Sequence, residues 1–566
     1  MQPNSDSEAP PNVSLLGHVV SVHGSQAGVG FPAPSPQQPE EARATVGKFL
    51  GIISGKAMLV GIITDIHVSS QQGKPMAAAK VDLIGEIRQA ASGRFDRGIS
   101  RYPAIGDPVI FVGPRELQLI FQRSGDAVEI GHLQQNPNVG AFVNVGDLVS
   151  KHFAVLGTTG VGKSCAVTLL LREILRHQPG LRVFVLDVHN EYGRCFGDLA
   201  QVLNPSNVRL PFWLFNFDEF VEILFGGRPG VEDEIDILAE VIPLAKAAYS
   251  QGGASGRVLI KTSDPSGQRF TVDVPVPYRI ADLISLIDGR MGKLENRSSR
   301  MNYQRLMSRI DTAVNDPRYA FMFESANVGG DSMAEVLGTL FRIPEAGKPV
   351  TVMQLAGFPS EIVDAVVSVT SRMAFDLGLW SDGAFPILVA CEEAHRYMAV
   401  DHSVGFAPTR RAISRIAKEG RKYGVYLGLV TQRPAELDPT ILSQCSTLFA
   451  MRMTNERDQA LLKSAVADTA ANLLAFLPSL STGEAFAFGE GMILPTRVRF
   501  KQLDEDHVPR SEIVTPGEAL QSGENQGELD TAIERWRGRL GKRPPKWDTV
   551  AEQLRPPPAA GERQAG

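Results

Sequence analysis

The sequence predicts an α/β chain in two parts, a small β-barrel or sandwich followed by a parallel-sheet core that carries a helical insertion. Three observations predict it. From residue 13 to 147, short β-rich runs alternate with glycine and proline turns and no long helical period appears. Past residue 148 the apolar run HFAVLG (152–157) leads through a glycine-rich turn into AVTLLLREILRH (166–177) and then RVFVLDV (182–188). A strand, a helical period and a second strand make a βαβ unit, whose crossover brings the two strands parallel. Third, residues of about 215–345 carry helical periods such as VEDEIDILAEVIPLAKAAYS (231–250) and RSSRMNYQRLMSRIDTAV (297–314) before β-rich runs resume.

Taken in order, the first part contains HVVSVHG (18–24), AMLVGIITDIHV (57–68), AAKVDLIGEI (78–87) and GDPVIFVG (106–113), with SSQQGKPMA (69–77) as a hairpin loop. In the second part, strands resume at FPILVAC (385–391), VYLGLVTQ (425–432) and TLFAMRMT (447–454). GEAFAFG (483–489) and TRVRFKQ (496–502) close the core, which spans 148–505. Residues 1–12 form a polar tail, and 506–566 an extension whose Pro-, Gly- and Ala-rich end has too little apolar surface to order itself.

Composition narrows the function classes. With 43% apolar and 21% charged residues in 566, the chain has the make-up of an ordinary globular protein of two or three domains. A net charge of −6 argues against a wholly basic nucleic-acid coat, so any nucleic-acid contact must be local, for instance inside a ring. Cys165, Cys195, Cys391 and Cys445 lie far apart with no CxxC, which disfavours a zinc site or a disulfide framework. MQPNSDSEAPPN at the start lacks a signal pattern, and no run approaches eighteen apolar residues. The expectation is a cytoplasmic protein without a membrane span.

Gly157-Thr158-Thr159-Gly160-Val161-Gly162-Lys163-Ser164 fits G-x-x-x-x-G-K-[ST]. The spacing serves a chemistry. Glycines let backbone N–H groups turn inward around phosphates, Lys163 reaches the β/γ oxygens, and the Ser164 hydroxyl meets Mg²⁺. The helix that follows adds its positive N-terminal end, and Cys165 completes the phosphate-binding stretch. The cofactors implied are ATP and Mg²⁺.

LVACEEAH (388–395) ends an apolar strand in two carboxylates. In nucleotide hydrolases with an added strand, one carboxylate here orients a metal-bound water and its neighbour polarises the attacking water. Glu392 then holds the Mg²⁺ water where aspartate is usual, and Glu393 is the general base. The bland alternative is that both acids open a helix and suit its dipole. Thr431-Gln432 end the next strand, and Gln432 is the candidate sensor of the γ-phosphate or attacking water; the alternative is a solvated strand end before a proline turn. Between the two strands, RRAISRIAKEGRKYGV (410–425) places Arg410, Arg411, Arg415, Lys418, Arg421 and Lys422 on one helix ending at Gly424. They are either a solvated helix end or the source of an arginine finger, with Arg421 first and Arg415 second.

KHFAVLGTTGVGKS (151–164), LDVHNEY (186–192), CEEAHRYM (391–398) and the run from ISRIAKEGRKYG to MTNERDQ (413–459) together resemble the HerA-type translocases of the HerA/FtsK superfamily. The resemblance covers roughly 140–500 and implies a RecA-like P-loop ATPase core preceded by the small barrel these proteins carry. It further implies a homohexamer that hydrolyses ATP between subunits and moves double-stranded DNA through its pore. A nuclease or a defence effector would dock on the barrel. By the same resemblance Lys163 and Ser164 meet phosphate and Mg²⁺, Glu393 is catalytic, Gln432 is the sensor and Arg421 acts in trans. The family has Asp-Glu where this chain has Glu392-Glu393. Asp187, His189 and Glu191 match a family motif whose mechanism the residues do not disclose. A ring that binds ATP and assembles an effector without translocating is the competing function; a secretion or conjugation motor is a third. Arg or Lys residues in 251–305 or 402–411 are candidates for the pore.

Overall fold

The computed structural model describes residues 15–32, 43–71, 74–88, 93–121, 125–251, 270–293, 297–328, 330–344, 347–401, 405–466 and 472–510, with 529, 530 and 533. The tails expected at 1–12 and beyond 553 lie outside the described residues. So do 252–269 and 402–404, parts of the two pore-candidate segments.

β1 (Leu15–His23), β2 (Gln26–Pro32), β3 (Phe49–Ser54), β4 (Ala57–Gln71), β5 (Lys74–Arg88), β6 (Phe95–Arg97) and β7 (Pro108–Phe111) form one antiparallel sheet. Its order is β2-β1-β7-β3-β4-β5-β6, and β2 also pairs with β5. That pairing closes six strands into a barrel and removes their free edges. Strand alternation gives the barrel two apolar surfaces. Leu59 and Ile63 of β4 point into its interior with Leu50, Ile52, Val81 and Val109. Met58, Val60 and Ile62 point the other way and join the core of the second part. The segment expected as a hairpin loop is mostly strand, since β4 runs to Gln71 and β5 starts at Lys74.

α1 (Pro114–Ile120) leads to β8 (Ala127–Leu133) and β9 (Asn136–Asn144), then α2 (Val145–Ser150), β10 (Phe153–Leu156), α3 (Lys163–His177), β11 (Arg182–Asp187) and β12 (Ala200–Leu203). The hairpin β8–β9 falls inside the stretch expected to be barrel, yet it pairs with the large sheet. Alternation shows that such strands are half-buried, and says nothing of which sheet they join.

Among the described residues six helices follow: α4 (Phe217–Phe225), α5 (Glu232–Gln251), α6 (Ile280–Met291), α7 (Arg297–Asn315), α8 (Ala320–Phe323) and α9 (Met333–Phe341). Asn216 opens α4 with a reciprocal capping box to Glu219. Then come β13 (Val350–Gln354), α10 (Val363–Trp380), β14 (Ile387–Cys391), α11 (Ala407–Glu419), β15 (Val425–Thr431), α12 (Pro439–Leu442), β16 (Thr447–Met451), α13 (Glu456–Ala465), β17 (Glu484–Gly489) and β18 (Thr496–Phe500). The sheet order is β12-β13-β11-β14-β15-β10-β16-β17-β18-β8-β9, parallel from β12 to β16 and antiparallel beyond. The fold is α/β, a RecA-like P-loop core with a helical insertion, preceded by the barrel. β12 and β13 were not legible as strands, being only four and five residues long beside the insertion.

One consequence of the order positions the site. β15 lies between β10 and β14, with Leu156 level with Thr431 and Cys391 level with Leu429. The loops after Leu156, Cys391 and Thr431 therefore emerge side by side at the C-terminal edge. In parallel sheets this edge is where ligands bind. Among the described residues no helix is long and apolar enough to cross a membrane.

Candidate active site

The loop after β10 is held by its neighbours' strand ends. Gly157 N–H donates to Thr431 O, Thr158 N–H to Arg452 O, and Gly483 N–H to Val161 O. A side chain at Gly157 would press on Met451 and Val161, and Gly162 sits at φ +96°, a conformation only glycine adopts cheaply. The first turn of α3 leaves the N–H groups of Lys163, Ser164 and Cys165 without intrahelical acceptors, as every helix start does. Among the described residues no carbonyl takes the N–H of Thr159, Gly160, Val161 or Gly162. The loop thus presents a run of donors beside a helix N-terminus. Lys163 Nζ bends back onto Thr158 O at 2.9 Å; burial lowers its pKa, opposed by Glu393, Glu392 and Glu191.

The two glutamates, just past the end of β14, have different partners. Glu392 points along the sheet to the end of β11, where its Oε2 accepts from Val188 N–H (3.0 Å) and His189 N–H (3.4 Å). Burial, then the neighbouring Asp187 carboxylate, push its pKa well up. Glu393 adopts φ +48° at the start of a short 3-10 turn, Ala394–Arg396, and is 7% exposed. Its Oε1 lies 3.6 Å from His189 Nε2. His395 Nδ1 lies 3.3 Å from its Oε2 but is hydrogen-bonded to Thr431 Oγ1 at 3.0 Å, so Glu393 Oε2 has no hydrogen-bond partner. Left-handed backbone at a non-glycine residue and an unmatched buried carboxylate oxygen both cost energy, and such features concentrate where chemistry is done.

Ser164 Oγ donates to Glu191 Oε2 at 2.7 Å, so Glu191, rather than Glu392, touches the phosphate-loop hydroxyl. Thr159 Oγ1 is hydrogen-bonded to Gln432 Oε1, which joins the loop to the tip of β15. Glu191, like Asp187 and His189, is a residue to which the sequence assigned no mechanism. Its signal was the spacing Asp187-x-x-x-Glu191 directly after an apolar strand.

The arginines lie elsewhere. α11 runs back from the C-terminal edge, ends at Glu419 and continues as a 3-10 turn, Gly420–Tyr423, closed by Gly424 at φ +69°. Arg421 is exposed before β15 begins, donating to Gln444 O at 3.1 Å. Seven residues of strand separate this edge from Gln432, roughly 20 Å. Arg415 stacks on Phe375 at 4.1 Å and faces Asp376 at 3.5 Å.

These residues fit a magnesium nucleotide. Free N–H groups, a helix start and Lys163 suit phosphate oxygens, and a hydroxyl beside a carboxylate suits a hard cation. Among the described residues no three His, Cys, Asp or Glu side chains form a metal cage. Mg²⁺ needs none where phosphates and water complete its shell.

The family model for the central domain of the helicase HerA matches residues 128–374, opening on β8. Probable helicase MJECL08 of Methanocaldococcus jannaschii is 27% identical over 473 residues, which cover 79% of this chain and 83% of that protein. The DNA double-strand break repair helicase HerA of Pyrococcus furiosus is 28% identical over 418 residues, 68% of this chain and 72% of that one. Among solved structures, VirB4 of Thermoanaerobacter pseudethanolicus superposes on 70% of this chain and 99% of its own, with a TM-score of 0.44 at 15% identity.

Proposed function

We propose that this chain, a HerA-type P-loop ATPase, works as a homohexameric motor that moves double-stranded DNA with the free energy of ATP hydrolysis. The observation that carries the reading is the division of the site between the two edges of one sheet. Phosphate loop, Glu393 and Gln432 meet at the C-terminal edge, while Arg421 stands exposed at the other. An arginine at that distance from its own loop serves a site only in a neighbouring copy. This is the geometry a ring with shared sites requires.

In this reading, residues 157–165 hold ATP, with Lys163 on the phosphate oxygens and Ser164 on the Mg²⁺ side. The metal neutralises charge on the phosphates when bound. Glu393 takes the proton of the attacking water, and Gln432, linked to Thr159, orients that water. Arg421 reaches a neighbour's phosphates, with Arg415 second because it is already occupied by Asp376 and Phe375. The relatives named as DNA repair helicases support DNA as the track. A nuclease or a defence effector is the partner proposed for the barrel. The test is ATP turnover with and without double-stranded DNA, alone and with the product of the neighbouring reading frame, together with mass photometry. A hexamer whose turnover rises with DNA is expected; a monomer indifferent to DNA defeats the proposal.

A further inference from the structure

We propose that Glu191 supplies the carboxylate on the metal side of the nucleotide site, and that Glu392 is a positioning residue holding the turn that carries it. This deepens the reading of residues 157–165 as a magnesium-nucleotide site and rests on it.

The turn from Val188 to Tyr192 is held by two carboxylates. Glu392 accepts from Val188 and His189 N–H. Fully buried Asp187 accepts from Glu191 and Tyr192 N–H, each at 3.0 Å. Four N–H groups within five residues are thus anchored, with Asn190 at φ +57° at the bend. Both anchoring carboxylates accept from backbone N–H groups and lie against each other, whereas Glu191 is delivered onto Ser164 Oγ. Glu393 Oε2, in a residue 7% exposed, has no hydrogen-bond partner, and Glu393, Glu392 and Glu191 all bear on the charge of Lys163 in the phosphate loop. The arrangement accounts for Asp187, Glu191 and Glu392 together. Asp187 and Glu392 shape the turn, and Glu191 is what the turn presents. Carboxylates that hold a ligand's support are structural in chemistry but decide where the ligand stands.

The test is the affinity of the full-length protein for a fluorescent ADP, measured with excess Mg²⁺ and with chelator, alongside Mn²⁺ binding by electron paramagnetic resonance. Thermal melts confirm that each variant is folded. Glu191→Gln is expected to lose about tenfold or more of the metal-dependent gain in ADP affinity and to weaken Mn²⁺ binding alike, with affinity in chelator unchanged. Glu392→Gln is expected to keep the gain, because its amide oxygen still accepts from both N–H groups. Glu191→Asp, the second variant, should retain part of it. The proposal is overturned if Glu191→Gln keeps the full gain, if it weakens ADP equally with and without metal, or if Glu392→Gln abolishes the gain. Wild-type protein that binds no ADP in either condition would defeat the nucleotide-site reading itself, a different result from each of these.

Discussion

The two ends of the strands β10 and β15 are built from the same apolar middle and differ in how completely their polar groups are matched. At the N-terminal end, fully buried His152 stands at φ +57° yet has both ring nitrogens engaged. Leu427 N–H donates to Nδ1 at 2.9 Å, and Nε2 donates to Ala417 O at 3.1 Å. Ser446 Oγ is left over there, a neutral hydroxyl. At the C-terminal end the leftover atoms include, besides Asn190 Oδ1 and Tyr192 Oη, a carboxylate oxygen, Glu393 Oε2, beside Lys163 and a row of open N–H groups. An unmatched charged group costs more than an unmatched hydroxyl. The protein's own groups finish one end, while the other offers partners to the nucleotide proposed for it.

Four substitutions sharpen or break that contrast, the first having the largest effect. Arg421→Ala should lower ATP turnover by about 10³-fold or more, the scale of a lost arginine finger, while leaving the melting temperature unchanged. Mixed with Lys163→Ala subunits it should regain part of the rate, since each variant keeps what the other lacks. Full activity of Arg421→Ala alone would make that edge a mere surface.

Glu393→Gln should lower turnover by about 10²- to 10⁴-fold with ADP affinity kept. Its melting temperature should hold or rise, because the change removes a buried carboxylate whose Oε2 has no hydrogen-bond partner. A large loss of stability instead would mean that this end, too, is finished.

His152→Gln tests the matched end. Burial, and then Arg421, lower the His152 pKa from 6.5 to about 4. Between those values the unfolded chain takes up a proton that the folded chain refuses. The stability due to neutral His152 is thus full above about pH 6.5 and fades as pH falls toward 4, by about 3 kcal/mol at most. Urea midpoints should show the variant weaker than wild type at pH 7.5 and the gap closing at pH 5. A gap independent of pH would mean that the ring acts by packing alone.

Lys151→Ala, which removes surface pairs with Asp147 and Glu490 beside the same edge, should cost about 0.5 kcal/mol or less.

Much of the fold was legible because it rests on local patterns. The βαβ unit, the helical insertion and the strands at 387–391, 425–431 and 447–451 follow from runs of apolar residues and from where they break. The phosphate loop was legible because its chemistry demands glycine, lysine and serine at fixed spacing. The pairing of β8–β9 with β18 was not, since Leu133 meets Val498 across hundreds of residues and alternation names no partner. The roles within the acidic cluster were equally hidden. Glu392 and Glu393 are adjacent letters, and only the folded chain gives Glu392 two backbone N–H partners while leaving Glu393 Oε2 without one.

By itself the sequence determined the kinds of groups that meet: a phosphate loop, carboxylates at one strand end, an amide at another, and arginines between. Those are set by residue type and spacing, which survive without a three-dimensional context. Only the tertiary structure decided which carboxylate meets Ser164, and that Arg421 stands at the opposite edge from its own loop. Such facts depend on which strand lies beside which. That is decided by packing and hydrogen bonding between segments far apart in the chain.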